Sequence, residues 1–140
     1  MKFRVVAVGK VREKHLRAAV DDYLERIRRF HPIEEVQVED AAGMERAAPD
    51  RFRLVTLEPG GREMTSETFA AWIGKAMGEG AAGIAFFLGG ADGLPEDLAR
   101  RAHLRLSMSK LTMPHRLARI VLAEQIYRAL TIIRGLPYPR

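Results

Sequence analysis

Three short stretches of the chain hold the residue types able to meet a ligand. The first is Gly89-Gly90-Ala91-Asp92-Gly93, which follows the apolar run 83–88. Glycines placed after such a run let backbone come close to a ligand. The spacing Gly-Gly-x-x-Gly is neither the dinucleotide fingerprint nor a P-loop, so the usual phosphate cradles are absent. A tight strand-to-helix turn with no ligand accounts for these glycines equally well. The second stretch is Ser107-Met108-Ser109-Lys110-Leu111-Thr112-Met113-Pro114-His115. His115 falls in the first turn of a helix opened by Pro114, where the helix N-terminus disfavours imidazolium. A neutral imidazole there can accept or donate a proton, or can simply pack. Ser107 and Ser109 fit no Ser/His/Asp order and read as hydroxyls that organise backbone. The third stretch, Leu57-Glu58-Pro59-Gly60-Gly61, reads as a strand end followed by a turn.

Other chemistries have less to work with. The four histidines, His15, His31, His103 and His115, show no metal-like spacing, and no metal site is expected. The chain has no cysteine, which excludes disulfides, thiolate zinc sites and Cys nucleophiles.

The elements that must position these stretches follow from periodicity. Apolar runs at 3–8, 53–57, 83–88 and 104–108 read as strands, with a half-exposed strand at 34–39. Helical spacing runs over 13–30, about 65–77, 95–103 and 114–134. The stretch 40–50 reads as a loop with room for a helical turn. Strands alternating with helices, several of them unbroken apolar runs, predict an α/β fold with a largely parallel sheet. In such sheets ligands sit beyond the carboxyl ends of the strands, where the three stretches would meet.

The 140 residues, 47% hydrophobic, suit a single domain with a real core. No apolar run is long enough to span a membrane, and the first nine residues read as a strand, not a signal peptide. A soluble cytoplasmic protein is the expectation. Charge is uneven: residues 1–99 carry a net −3 and residues 100–140 a net +8. Eight of the nine cations in the later segment are arginines, which grip phosphate bidentately. Such a segment suits a polyanion such as RNA; it also arises as an ordinary solvated helix face. On the last helix, Arg116, Arg119 and Arg134 project to one side, and Glu124 sits four before Arg128 as a supporting pair. The rest of that helix is apolar nearly all round, more than one small sheet covers, which predicts a homodimer interface.

In chain order, the motifs resemble one family. They are Val6-Ala7-Val8-Gly9-Lys10, Tyr23-Leu24-x-Arg26, Leu57-Glu58-Pro59-x-Gly61 and Thr65-Ser66-Glu67-x-Phe69-Ala70. Then come Phe87-Leu88-Gly89-Gly90-Ala91-x-Gly93 and Leu106-Ser107-Met108-Ser109-Lys110-Leu111-Thr112-Met113-Pro114-His115. Last is Arg119-x-x-Leu122-x-Glu124-Gln125-Ile126-Tyr127-Arg128-Ala129, with Pro137-Tyr138 near the end. The set resembles the ribosomal RNA large subunit methyltransferase H family of SPOUT-class enzymes, over essentially the whole chain.

The resemblance implies an α/β domain with a C-terminal trefoil knot. It implies S-adenosylmethionine as cofactor, held by Leu57, Gly89, Gly90 and Met108, Ser109, Lys110, Leu111, Thr112 and Met113. It implies methylation of N3 of a pseudouridine in a stem-loop of large-subunit ribosomal RNA, on the assembled ribosome. It also implies a homodimer whose partner subunit completes the active site. Catalytic roles would fall to Tyr138, Arg140 and His115, and RNA contacts to Arg116, Arg119 and Arg140. The family usually ends Tyr-His-Lys/Arg; here the tail is Tyr138-Pro139-Arg140, so a group that cannot titrate replaces the histidine. The stretch 40–50 is also shorter than in most relatives. Two other classes remain open on the residues: an RNA-binding protein that has lost catalysis, and a flavodoxin-like nucleotide or flavin binder.

Overall fold

The computed structural model describes residues 1–138. Ten elements alternate along the chain: β1 (Lys2–Val8), α1 (Lys14–Arg28), β2 (Ile33–Val38), α2 (Ala41–Arg46), β3 (Phe52–Glu63), α3 (Ser66–Gly78), β4 (Gly83–Leu88), α4 (Glu96–Arg101), β5 (Leu104–Ser107) and α5 (His115–Arg134). The five strands form one sheet in the order β2-β1-β4-β3-β5, and every pairing is parallel. All carboxyl ends therefore share one edge.

β4 lies at the centre and is buried at every position, as an unbroken apolar run requires. Its side chains alternate between the faces. Ile84, Phe86 and Leu88 join the core beneath α1, α3 and α5, while Ala85 and Phe87 join a smaller core with Met44 of α2 and Leu98 of α4. The larger layer holds α5 against both α1 and α3. Leu122, Ala123, Ile126, Ala129 and Leu130 point inward from α5, and Leu117, Ile132 and Ile133 stay exposed.

Two segments differ from the sequence expectation. The stretch after Asp40 contains a short helix, α2, because the Asp40 carboxylate accepts from the Gly43 amide at 2.9 Å and caps it. Residues Glu58–Gly61 are not a turn that ends the strand. β3 continues to Glu63, and Leu57 and Arg62 both face Leu106 of β5, so the residues between them bulge out of the ladder. Pro59, which has no amide to donate, sits in this excursion. A Cβ at Gly61 would lie 2.8 Å from the Arg105 carbonyl oxygen, so only glycine lets the excursion return over β5.

Candidate functional site

Because the strands are parallel, the segments leaving Leu57, Leu88 and Ser107 emerge side by side. They enclose a cavity of about 660 Å³. That size suits a small organic ligand. Leu57, Gly89, Gly90, Met108, Ser109, Lys110, Leu111, Thr112 and Met113 all line it, as does His115 from the start of α5. All nine residues assigned to the cofactor from sequence stand around one space.

Backbone packing shapes the walls. Gly90, Ala91, Asp92 and Gly93 form a tight turn, with the Gly93 amide donating to the Gly90 carbonyl at 3.0 Å and Gly93 at φ +75°. A Cβ on Gly89 would lie 2.7 Å from the Gly93 carbonyl carbon, so this wall is glycine for lack of space. On the opposite wall, the Ser107 hydroxyl donates to the Ser109 carbonyl at 3.1 Å, and the Leu111 amide donates to the Ser109 hydroxyl oxygen at 2.9 Å. Both serines thus fold the loop back on itself, and neither hydroxyl is poised as a nucleophile.

Sequence reasoning placed Glu58 in the third stretch without a role of its own and missed Arg105; both line the cavity. The Arg105 guanidinium grips the Glu58 carboxylate with two hydrogen bonds of 2.8 and 2.7 Å, and the Thr56 hydroxyl donates to it at 2.6 Å. Arg105 holds the Glu58 carboxyl below the ordinary glutamate range. The pair ties the β3 excursion to β5. The available signal was weak: an acid just past one strand and a base inside another.

The cations of the C-terminal segment are mostly engaged. Arg100 pairs with Glu96 and Asp97, Arg101 with Glu45 and Asp97, Lys110 with Glu63, and Arg116 with Glu13. Arg128 pairs with Glu124 at 2.8 Å, as the spacing predicts. Arg134 donates to the Phe30 carbonyl at 3.0 Å.

Arg119, expected to contact RNA, requires a correction. It is 2% exposed and points into the protein. It reaches Glu35 of β2 at 3.2 Å and the carbonyls of Val8 and Gly9 at 3.3 and 3.1 Å. Burial lowers its pKa, and Glu35 pulls it back up. Arg116, Arg119 and Arg134 do share a side of the helix, but that side faces α1 and β2, so Arg119 cannot grip phosphate from there.

Tyr138 does not line the cavity. Its hydroxyl donates to Glu124 at 3.0 Å, and its ring stands edge-on to Tyr127 with Arg128 over its face at 4.6 Å. Burial, then Glu124, pushes the phenol well above its ordinary pKa, so it stays protonated. Pro139 and Arg140 lie outside the described residues. His103 and His31 stand away from the cavity lining. The His103 Nδ1 accepts from the Leu54 amide at 2.9 Å, and His31 packs on Phe3 with ring centroids 4.4 Å apart. Among the described residues no cluster of three His, Asp or Glu side chains could hold a metal ion, and no helix is long and apolar enough to cross a membrane.

Comparison with known proteins gives consistent matches. Residues 1–139 match the family described as "Predicted SPOUT methyltransferase". A protein of Sorangium cellulosum named ribosomal RNA large subunit methyltransferase H is 45% identical over 143 residues, covering 99% of each chain. Proteins of the same name from Anaeromyxobacter dehalogenans (strain 2CP-C) and Geobacter sulfurreducens are 43% and 36% identical, again over 99% of each chain. Among solved structures, a probable methylase family protein from Haemophilus influenzae Rd KW20 superposes with a TM-score of 0.63. It is 10% identical, over 99% of this chain and 72% of that one, and shares the fold.

Proposed function

The chain belongs to the SPOUT methyltransferase family, and on that premise we propose that it methylates N3 of a pseudouridine in a stem-loop of large-subunit ribosomal RNA, with S-adenosylmethionine as donor. In this reading it acts on the assembled ribosome, in the cytoplasm, as a homodimer. The observation that carries it is the cavity at the carboxyl edge of the sheet, walled by the three segments that the family resemblance assigns to the cofactor.

The residues fit such a donor. Leu57, Leu88, Met108, Leu111 and Met113 offer apolar surface to a flat base, and the glycine wall leaves backbone within reach of polar atoms. When bound, S-adenosylmethionine supplies a methyl group already activated on a sulfonium. The protein then has to hold the acceptor nitrogen in line and keep water out. His115, on the cavity rim, is placed to hold or move the proton that the imide N–H must lose. Arg116 and Arg140 serve the RNA, and a cation near the base favours the resulting anion.

Homodimer formation is supported by the exposed apolar side chains at Leu117, Ile132, Ile133 and Leu136, all on α5 or just past its end. Tyr138 lies outside its own cavity, so Tyr138 and Arg140 act, in this reading, at the site of the partner subunit. A trefoil knot belongs to the same reading. Its support is the path of the chain: α4 crosses one face of the sheet to carry β4 past β3 to β5, and α5 then packs on the opposite face against α1 and α3.

The test is transfer of labelled methyl from S-adenosylmethionine to ribosomes lacking the mark, with the product located by mass spectrometry. Label on pseudouridine N3 supports the assignment and shows that Pro139 is compatible with turnover. Donor binding without label would point instead to a protein that has lost catalysis.

A further inference from the structure

Apart from Arg116 and Arg140, assigned above to the RNA, the C-terminal cations among the described residues are engaged, and the unpaired charge lies elsewhere. Lys10, Arg12 and Lys14 fall within five residues of one another, in and just after the loop that leaves β1. All three are exposed, and none has a hydrogen bond or ion pair among the described residues. The other unpaired cations, Arg29, Arg46, Arg51, Arg62 and Lys75, stand singly on separate stretches of chain.

The loop is fixed in place beside the cavity. The Gly9 amide donates to the Val38 carbonyl at 2.9 Å, and the Gly9 carbonyl accepts from Arg119 at 3.1 Å. Val11 is 4% exposed and anchors the middle of the loop, with an exposed cation on each side of it. The Glu13 carboxylate is bound by Arg116 from the first turn of α5, the helix whose start lines the cavity. Val8, at the root of the loop, packs against Gly90 of the cavity wall, 3.2 Å from where its Cβ would be.

The local electrostatics run against helix stability. The first turn of α1 has no acid, its cap residue Glu13 makes no capping hydrogen bond, and Lys14 occupies the first position. Anions, not cations, stabilise a helix N-terminus. A loop that concentrates cations at such a site is poorly suited to folding and well suited to an approaching phosphate.

We infer that the β1–α1 loop, through Lys10, Arg12 and Lys14, is the surface on which the RNA phosphate backbone docks beside the methyl-transfer cavity. This rests on the reading of the substrate as RNA. The contacts are to phosphate, so they position the strand without reading its sequence.

The experiment measures binding of the full chain to ribosomal particles lacking the mark, across a salt series. The compared proteins are the wild type, a Lys10→Gln/Arg12→Gln/Lys14→Gln variant and an Arg100→Gln/Arg101→Gln control. Each lost phosphate contact lowers the slope of log affinity against log salt by about 0.7–0.9. The loop variant should thus lose a slope of about 2–3, so that over a fourfold rise in salt its affinity falls about 20- to 40-fold less than that of the wild type. Its affinity for S-adenosylmethionine should match the wild type, its melting temperature should be no lower, and the control should keep the wild-type slope. An unchanged slope in the loop variant overturns the proposal. So does weaker binding at unchanged slope, which would mean a contact to ribosomal protein, or a control that moves as far. Methyl transfer by the wild type to the same particles separates the two readings. Label with an unchanged slope in the loop variant sinks the docking surface alone; a lowered slope without any label from the wild type sinks the methyltransferase reading alone.

Discussion

The arginine-rich stretch from 100 to 134 and the loop from 10 to 14 are both cationic, but they face different neighbours. Along the first, acids from α2, α4, β2, β3 and the start of α1 meet nearly every guanidinium. Along the second, the one acid, Glu13, is turned away toward Arg116. Charge counted along a chain therefore says little about charge presented to a partner. What decides is which acids the fold sets opposite, and how deep the pair lies.

Depth orders the expected effects. Arg119→Met, measured by urea unfolding, should cost about 1–3 kcal/mol, because it leaves the two strand-end carbonyls of Val8 and Gly9 without this donor, while Glu35 keeps Arg17 as a partner at 2.7 Å. Adding Glu35→Gln should recover none of the loss, because it takes the carboxylate from Arg17 as well; recovery would mean that Arg17 does not hold Glu35 once Arg119 is gone.

Arg105→Gln should act more on the cavity than on the fold. Releasing the β3 excursion should raise the KM for the methyl donor several-fold with a smaller change in kcat. It should also alter acid sensitivity. Glu58 has a folded pKa below its ordinary 4.5, so its pairing stabilises the protein above that pH, and the stabilisation is lost as pH falls through the folded value. The variant should show a shallower loss of stability below about pH 4.5 than the wild type.

Arg100→Gln with Arg101→Gln removes pairs that are largely solvated and should change stability by less than about 0.5 kcal/mol. A larger loss would break the link between depth and effect. Smallest of all, Lys14→Glu should raise thermal stability by roughly 0.3 kcal/mol, by placing an anion in the first turn of α1, while weakening RNA binding. Opposite signs in the two measurements are the sharpest form of the contrast.

The same distinction explains how much could be read in the sequence. The cavity walls at Gly89–Gly93 and Ser107–Met113 were legible because each follows an apolar run, and a parallel sheet brings its strand ends together. The parallel α/β architecture was legible for the same reason. The place of Arg119 was not. Helical spacing says which residues share a side, but Glu35 lies 84 residues away and only the fold brings it opposite. The β3 excursion was hidden because a strand that leaves its ladder and returns to the same partner reads, residue by residue, as a turn. The short helix α2 was obscured by a Gly/Ala-rich stretch in which one aspartate cap decides the outcome.

That excursion has a consequence for how the site can vary among homologues. Leu57 and Arg62 face the same residue of β5, so the ladder resumes at the point on β5 where it broke off, and the register shift is taken up wholly within β3. Residues can be gained, lost or exchanged between them without shifting any other pairing. One wall of the cavity is thus free to diversify over a sheet that does not change, and differences in ligand preference among relatives should collect there before they reach the glycine turn, where even a methyl group has no room.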